Sequence, residues 1–282
     1  MAFHVSSAVR SADARDKLEG RPQMAGLLAR FEEYPVASAV LIFAAMLALG
    51  LIVGAVATMV VPTQAQLPDF VTECVMVVVV VALITALGWW RTIGCNRPTD
   101  WRQLHLLWLP AILVLVPPFL KGIHPVNAGM LAFWVAGYAM TGFREEALYR
   151  GVVLRVLRPG GTVQAVLLSA LLFGLNHANN FLFRNPFIVL AQIVGAICFG
   201  VAYAALRVRT NTIWFLMLLH GLHDLTLKLT AFPAIPLDVV QDVILLGYGL
   251  YLIRSHRVLE AAQPATGTPE EALPQEPRVA GS

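Results

Sequence analysis

The stretch that decides the fold of this chain is residues 141–158, TGFREEALYRGVVLRVLR. An apolar run at residues 127–140 precedes it, and no proline interrupts the sequence until Pro159. We predict one long helix that begins in a membrane and carries four ionised groups between Arg144 and Arg150. Because each charge placed in a bilayer costs at least about 2.5–3.5 kcal/mol, residues of this kind usually serve a function.

The two glutamates of this stretch are expected to differ in their partners. Glu146 and Arg150 are four residues apart, so they can form an ion pair across one helical turn. That pairing would leave Glu145 without a partner of its own, with Tyr149 one turn away on the same face. A carboxylate beside a fixed ion pair in a poorly hydrated place is a candidate general base. The alternative is that the block is only a charged loop at the membrane surface.

The composition indicates a membrane protein. Of the 282 residues, 58% are hydrophobic and 13% are charged, and this charged fraction is about half of that in soluble proteins. The apolar residues come in runs of roughly twenty, which is the length of a membrane-spanning helix. We therefore predict an all-α, polytopic membrane helix bundle with about eight transmembrane helices. The net charge of +3 is small, and we expect contact with the lipid bilayer and none with nucleic acid.

The predicted domain organisation is a transmembrane domain at residues 35–255 between two tails. Residues 1–34 form a polar cytoplasmic tail with a weak amphipathic signal at 24–31, and residues 256–282, rich in proline, glutamate and alanine, are expected to be disordered. The third span contains three prolines, so it is either a true span or a kinked or re-entrant segment. The predicted spans are residues 36–61, 71–90, 104–120, 127–158, 163–177, 187–206, 212–227 and 237–253.

The distribution of basic residues predicts the orientation in the membrane. Arginines are concentrated at residues 91–102, 155–158 and 207–209 and in both tails, and the intervening loops have few. Because loops rich in lysine and arginine face the cytoplasm, we expect both termini on the cytoplasmic side of the inner membrane.

Two further polar pairs occur in predicted spans. Phe173 and His177 are four residues apart at the end of the fifth span, and His220 and Asp224 are four apart in the seventh. A carboxylate at that spacing can fix the orientation and tautomer of an imidazole. Helix rise places these groups and Glu145 at similar depth, so they are predicted to meet in one polar cavity. The alternatives are a satisfied histidine at a helix end and a hydrogen bond that only joins two helices.

The three motifs together resemble the signature of a protease family. Glu145-Glu146-x-x-x-Arg150, Phe173-x-x-x-His177 and His220-x-x-x-Asp224 are similar to the motifs of the CAAX protease and bacteriocin-processing family, also called CPBP or Abi. Its eukaryotic members are the type II CAAX prenyl endopeptidases. The third motif has aspartate where many members have asparagine, which the family pattern allows. The resemblance covers residues 134–253.

The resemblance implies an eight-helix intramembrane endopeptidase whose cavity opens toward the cytoplasm. It implies that Glu145 activates the water that hydrolyses a peptide bond of a membrane-embedded or membrane-associated protein or peptide. Asp224 would orient His220 or, if protonated, help to stabilise the oxyanion, and we favour the orienting role. Arg150 is expected to be the structural ion-pair partner. The implied catalytic set is Glu145, Glu146, His177, His220 and Asp224.

The chemistry of these side chains agrees with peptide hydrolysis, which needs a base, a group that stabilises the oxyanion and an acid for the leaving amine. The same Glu145, His177 and His220 can also hold a zinc ion, so metal-dependent and metal-free hydrolysis both stay open. A proton- or ion-coupled transporter and a non-catalytic immunity or scaffold protein of the same fold are the alternative functions. We expect the three cysteines, which show no metal-ligand spacing, to be packing thiols: Cys74, Cys95 and Cys198.

Overall fold

The computed structural model of the chain describes residues 22–62, 66–98 and 100–262. Over these residues the only β-pairing is an isolated bridge between Ile123 and Thr230, so the prediction of an all-α fold is confirmed. The first part of the chain forms α1 (Pro22–Glu33), α2 (Pro35–Val60), α3 (Leu67–Leu87), a 3₁₀-helix (Trp101–Leu107) and α4 (Trp108–Lys121). The second part forms α5 (Ala128–Glu145), a π-helix (Glu146–Val153), α6 (Leu154–Leu157), α7 (Thr162–Leu175), a 3₁₀-helix (Asn176–Leu182), α8 (Pro186–Thr210), α9 (Trp214–Leu229) and α10 (Ala234–Ala262).

Prolines and asparagines mark the starts of several helices. Pro35 and Pro186 occupy the first turns of α2 and α8, where a missing backbone N–H costs nothing. The side chain of Asn127 accepts a hydrogen bond from the backbone N–H of Met130 at 2.8 Å and so caps α5. Asn185 caps α8 in the same way through the N–H of Phe187, at 2.9 Å.

Several predicted boundaries are revised by one or two turns. The fifth span becomes 3₁₀-helical after Leu175, so His177 lies just past the end of α7. The weak amphipathic signal corresponds to α1, where the Phe31 ring packs on Trp89 with centroids 5.9 Å apart. The last helix continues to Ala262, so the predicted disorder from residue 256 is wrong for residues 256–262. The other tail predictions, for residues 1–21 and 263–282, lie outside the described residues.

The chain is a polytopic membrane protein. The 3₁₀-helix at Trp101–Leu107 and α4 together form one candidate span, Trp101–Lys121, although α4 contains Pro117 and Pro118. The α9 helix is shorter than the candidate spans, and the helix that begins with α5 carries several charged residues, so neither is among the apolar spans. The count of about eight spans therefore stays a prediction. Six helical segments of the described chain are long and apolar enough to cross a membrane: Pro35–Val60, Leu67–Leu87, Trp101–Lys121, Thr162–Leu182, Pro186–Thr210 and Ala234–His256.

The centre of the bundle is the helix that runs from α5 through the π-helix into α6. Every residue of the π-helix is buried, and the predicted long helix is confirmed, with the difference that its middle is wound as a π-helix. Two glycines let α5 and α9 touch backbone to backbone. A Cβ on Gly142 would lie 2.5 Å from the carbonyl oxygen of Met217, and one on Gly221 would lie 2.7 Å from that of Tyr138. This close crossing brings the polar residues of α9 onto those of the central helix.

Candidate active site

The first glutamate, Glu145, is buried at the end of α5 and has an arginine partner. Arg144 donates from Nη2 to Oε1 of Glu145 at 2.8 Å, and from Nε to Oε1 of Glu73 on α3 at 2.6 Å. The prediction that Glu145 has no partner of its own is therefore wrong. The partner is the preceding residue on the chain, whose long side chain lies between the carboxylates of two helices.

The second glutamate forms the predicted ion pair. Arg150 Nη1 lies 3.1 Å from Oε1 of Glu146, and both side chains are completely buried. The guanidinium group also lies over the ring of Phe173, 4.0 Å from its centroid. A desolvated cation gains from both contacts, because the ring face carries partial negative charge. The pairing of Glu146 and Arg150 is thus confirmed, and it is reinforced by the first residue of the second motif.

His220 on α9 lies between the two glutamates. Its Nδ1 is 2.8 Å from Oε1 of Glu146, and its Nε2 is 3.6 Å from Oε2 of Glu145. Asp224 was expected to orient this imidazole, but its Oδ2 is 3.9 Å from Nε2, whereas Glu146 is within hydrogen-bonding distance. The orienting carboxylate is therefore Glu146. The reason is tertiary, because the glycine crossing of α5 and α9 brings Glu146 closer to the ring than the residue one turn along α9.

His177 joins this group from the end of α7. Its Nδ1 is 3.2 Å from the carbonyl oxygen of Phe173, and its ring meets that of Phe173 edge-on with centroids 5.3 Å apart. The Phe173 ring also meets His220 edge-on, at 5.9 Å. The structure thus brings Glu145, Glu146, His220 and Asp224 together, and His177 reaches this group through the ring of Phe173.

Three residues of this site were not singled out from the sequence. Glu73 reaches it from α3 through Arg144. Phe199 stacks on Tyr203 at 3.8 Å and lies 4.9 Å from His220, measured between ring centroids. The sequence does carry a signal for Glu73, which is an acidic residue within an apolar span. The two aromatic residues of α8 have none, because aromatic side chains in a membrane helix are ordinary.

Buried polar atoms without a hydrogen-bond partner are concentrated around this site. The charged pair contributes Oε2 of Glu146 and the guanidinium nitrogens of Arg150, whose contact with Glu146 is an ion pair without hydrogen-bond geometry. Tyr149 and Tyr203 contribute their hydroxyl groups. Unsatisfied polar groups are costly inside a protein and are expected to be few. Such an accumulation is typical of a functional site and unusual for an ordinary core.

Exposure within the site rises toward one end of the bundle. The side chains of Glu145 and His220 are 6% and 5% exposed, whereas that of Asp224 is 27% exposed. His177 is also partly exposed, at the end of the bundle that carries residues 176–185. If both termini are cytoplasmic, this end faces away from the cytoplasm, which differs from the cavity orientation that the resemblance implied. The orientation of the chain therefore also decides from which side a substrate enters.

The site does not fit a metal ion in this arrangement. In the described part of the chain, no three histidine, cysteine, aspartate or glutamate side chains converge as ligands. Glu145 and His220 approach each other, but His177 does not complete a set with them, and Nδ1 of His220 is already engaged by Glu146.

Comparison with known proteins agrees with the three motifs. The model of the family described as Type II CAAX prenyl endopeptidase Rce1-like matches residues 127–226. No curated protein and no solved structure matches the chain. The matched segment begins at the cap of α5 and ends just after Asp224, so it contains every residue of the motifs. Residues 127–226 are therefore similar to the CAAX protease family, CPBP, and the chain is an intramembrane peptide hydrolase.

Proposed function

We propose that Glu145 activates the water that hydrolyses a peptide bond of a membrane-embedded or membrane-associated protein or peptide. The observation that carries this proposal is the approach of Glu145 Oε2 to His220 Nε2 at 3.6 Å. This distance is longer than a direct hydrogen bond, yet a water oxygen can lie about 2.8 Å from both atoms. The two groups are buried inside the bundle, where a general base is not hydrated by bulk solvent.

The hydrogen bond on the other side of the His220 ring supports the same role. Glu146 Oε1 is 2.8 Å from Nδ1, and an ionised carboxylate can only accept, so Nδ1 carries the hydrogen. In the neutral imidazole, Nε2 is then an acceptor that faces the carboxylate of Glu145. Two acceptors that face each other are both satisfied by one water, which donates one hydrogen to each. Such a water has its oxygen lone pairs free for attack.

The reaction then follows from these positions. The water oxygen attacks the carbonyl carbon of the substrate while Glu145 takes one of its protons. The negative charge that develops on the substrate oxygen needs a donor, and we assign this role to the imidazolium form of His177, which donates from Nε2 because Nδ1 faces the carbonyl oxygen of Phe173. When the C–N bond breaks, the proton held by Glu145 passes to the leaving amine. The remaining proton of the attacking water leaves the carboxylic acid product to Nε2 of His220, and Asp224, 3.9 Å from Nε2, stabilises the imidazolium form that results.

Active-site variants test this proposal. Glu145→Gln and His220→Ala should abolish cleavage while the protein remains folded and inserted, because each removes a contact of the water. The substrate is found by comparing the membrane proteomes of cells that express the native protein and cells that express Glu145→Gln. Glu32→Gln, which removes an exposed charge of α1, is the matched control. Full turnover by Glu145→Gln on the native substrate would refute the role of Glu145.

We also propose that the protein lies in the inner membrane with both termini in the cytoplasm, as the basic loops indicate. Single cysteines in a cysteine-free background measure this orientation. Ser7 and Ala265 report the tails, and the exposed Trp101 and Phe183 report opposite ends of the bundle. Cysteines at Ser7, Ala265 and Trp101 should be labelled only from the cytoplasmic face and one at Phe183 only from the other. Labelling of Trp101→Cys from outside would reverse the topology and the side of substrate entry.

A further inference from the structure

We propose that Glu73 is a positioning residue for hydrolysis: it holds Arg144 so that one oxygen of Glu145 stays available to the water. The proposal rests on the proposed role of Glu145. It assigns a part in the site to α3, which lies outside the segment that the family model matches.

The geometry that carries this inference is a chain of three buried or nearly buried charged groups. Arg144 donates from Nε to Oε1 of Glu73 at 2.6 Å and from Nη2 to Oε1 of Glu145 at 2.8 Å. The exposed fractions of the three side chains are 15% for Glu73, 14% for Arg144 and 6% for Glu145. Hydrogen bonds between ionised groups are the strongest in proteins, so this chain fixes the guanidinium group from two helices.

The way in which Arg144 meets Glu145 is decisive for the base. A guanidinium group normally binds a carboxylate with two parallel N–H···O bonds, one to each oxygen. Here the Nε–H is directed to Glu73, and the contact with Glu145 is made by Nη2 to Oε1 alone. The second oxygen of Glu145, Oε2, is the one that faces His220. Glu73 thus keeps Arg144 from engaging both oxygens of the catalytic carboxylate.

Loss of Glu73 has a specific consequence in this arrangement. Without an acceptor on α3, Arg144 is free to rotate its Nε–H edge onto Glu145 and to bind both carboxylate oxygens. Both oxygens of Glu145 are then engaged in a bidentate ion pair with Arg144, so Oε2 no longer accepts a hydrogen bond from the water. The change acts on the base and not on a contact of the substrate, because the hydrogen-bond partner of Glu73 is Arg144. The expected signature is therefore a loss of kcat with little change in KM.

The test is a steady-state comparison of variants of the full-length protein in detergent or liposomes, with the substrate found by membrane proteomics. Glu73→Met removes the acceptor at similar volume and should lower kcat by about 10- to 100-fold, with KM within about twofold. Glu73→Gln keeps a carbonyl acceptor at the same place and should retain an intermediate kcat. The matched control is Asp69→Met, one turn earlier on α3 at an exposed position, which should behave like the wild type.

A double variant separates positioning from general stabilisation of the fold. Arg144→Lys keeps the positive charge but cannot bind both oxygens of a carboxylate with two parallel N–H···O bonds. Glu73→Met in the Arg144→Lys background should therefore cause no further loss of kcat. Independent, multiplicative losses would overturn the proposal, as would a wild-type kcat for Glu73→Met. If Glu73→Met does not fold, Glu73→Gln decides, and a wild-type kcat there overturns it equally. Glu145→Gln is measured alongside: activity in that variant refutes the proposed base, whereas an inactive Glu145→Gln with a fully active Glu73→Met refutes only the role of Glu73.

Discussion

Substitution of Gly142 by alanine should disable the site without touching any polar residue. The added Cβ would lie 2.5 Å from the carbonyl oxygen of Met217 and 2.8 Å from the backbone nitrogen of Gly221, where ordinary contacts begin at 3.4 Å. Both neighbours are backbone atoms, so neither can rotate away. The helices α5 and α9 must therefore separate by about 0.9 Å at their crossing.

The size of the effect follows from the contacts beside the crossing. The bond between Glu146 Oε1 and His220 Nδ1 is 2.8 Å long, and a displacement of about 0.9 Å takes it beyond hydrogen-bonding distance. Overpacking of this kind typically costs about 1–3 kcal/mol of stability. A misplacement of about 1 Å in a catalytic site lowers the rate by about 100-fold. Gly142→Ala should therefore show a reduced melting temperature and about 1% of the activity.

The assay measures thermal unfolding in detergent and cleavage of the native substrate by the same preparations. Gly247→Ala on α10 is the matched control, because a Cβ at that position has no atom within 4 Å. Alanine favours the helix over glycine by roughly 1 kcal/mol at either site, so the control corrects for this gain. If Gly142→Ala unfolds and cleaves like Gly247→Ala, the close crossing does not position the site and this reasoning is wrong.

Three further predictions concern buried or reactive side chains. Arg150→Ala leaves Glu146 as an unpaired buried charge and should lower the stability of the folded protein by about 3–5 kcal/mol, measured as a lower melting temperature. Lost activity with an unchanged melting temperature would instead show that Arg150 contacts the substrate. Arg207→Met removes the hydrogen bond from Nε to the carbonyl oxygen of Ile93 at 3.0 Å and should destabilise the folded protein by about 1.5–3 kcal/mol. An unchanged midpoint of unfolding in denaturant would contradict this prediction. Burial raises the pKa of the Cys95 thiol, in the loop after α3, to about 11, so the thiol stays neutral between pH 7 and 9. Its alkylation rate should therefore keep rising about tenfold per pH unit toward pH 11. A plateau of the rate near pH 8.5 would show that the thiol has an ordinary pKa.

What the sequence predicts well in this protein is local. Helices follow from apolar runs, and the ion pair of Glu146 and Arg150 follows from a spacing of four residues within one helix. The bond of His220 to Glu146 has no such spacing, because it depends on how closely α5 and α9 approach at Gly142. A spacing rule on α9 alone therefore selected Asp224, the residue available within the same helix.

The ion pair of Glu145 with Arg144 also could not be predicted from spacing within one helix. Arg144 is adjacent to Glu145 in the sequence, and adjacent residues point to different sides of a regular helix, so no helical spacing rule pairs them. The contact arises because the arginine side chain is long and is drawn toward Glu73 on a different helix. Such an arrangement requires the position of α3 relative to α5, which periodicity does not contain.

The π-helix at Glu146–Val153 has a consequence for how this part of the chain tolerates changes of length. A π-turn holds one residue more than an α-turn, so it acts as a single-residue insertion absorbed within a continuous helix. Deleting one residue between Ala147 and Tyr149 would allow the segment to wind as a plain α-helix. Because the wide turn already holds one extra residue, the part of the helix after this deletion would keep its rotation about the helix axis, and the buried face of α6 would still meet its present neighbours. The same deletion in the regular α-helix of α5 would instead turn everything after it by about 100°.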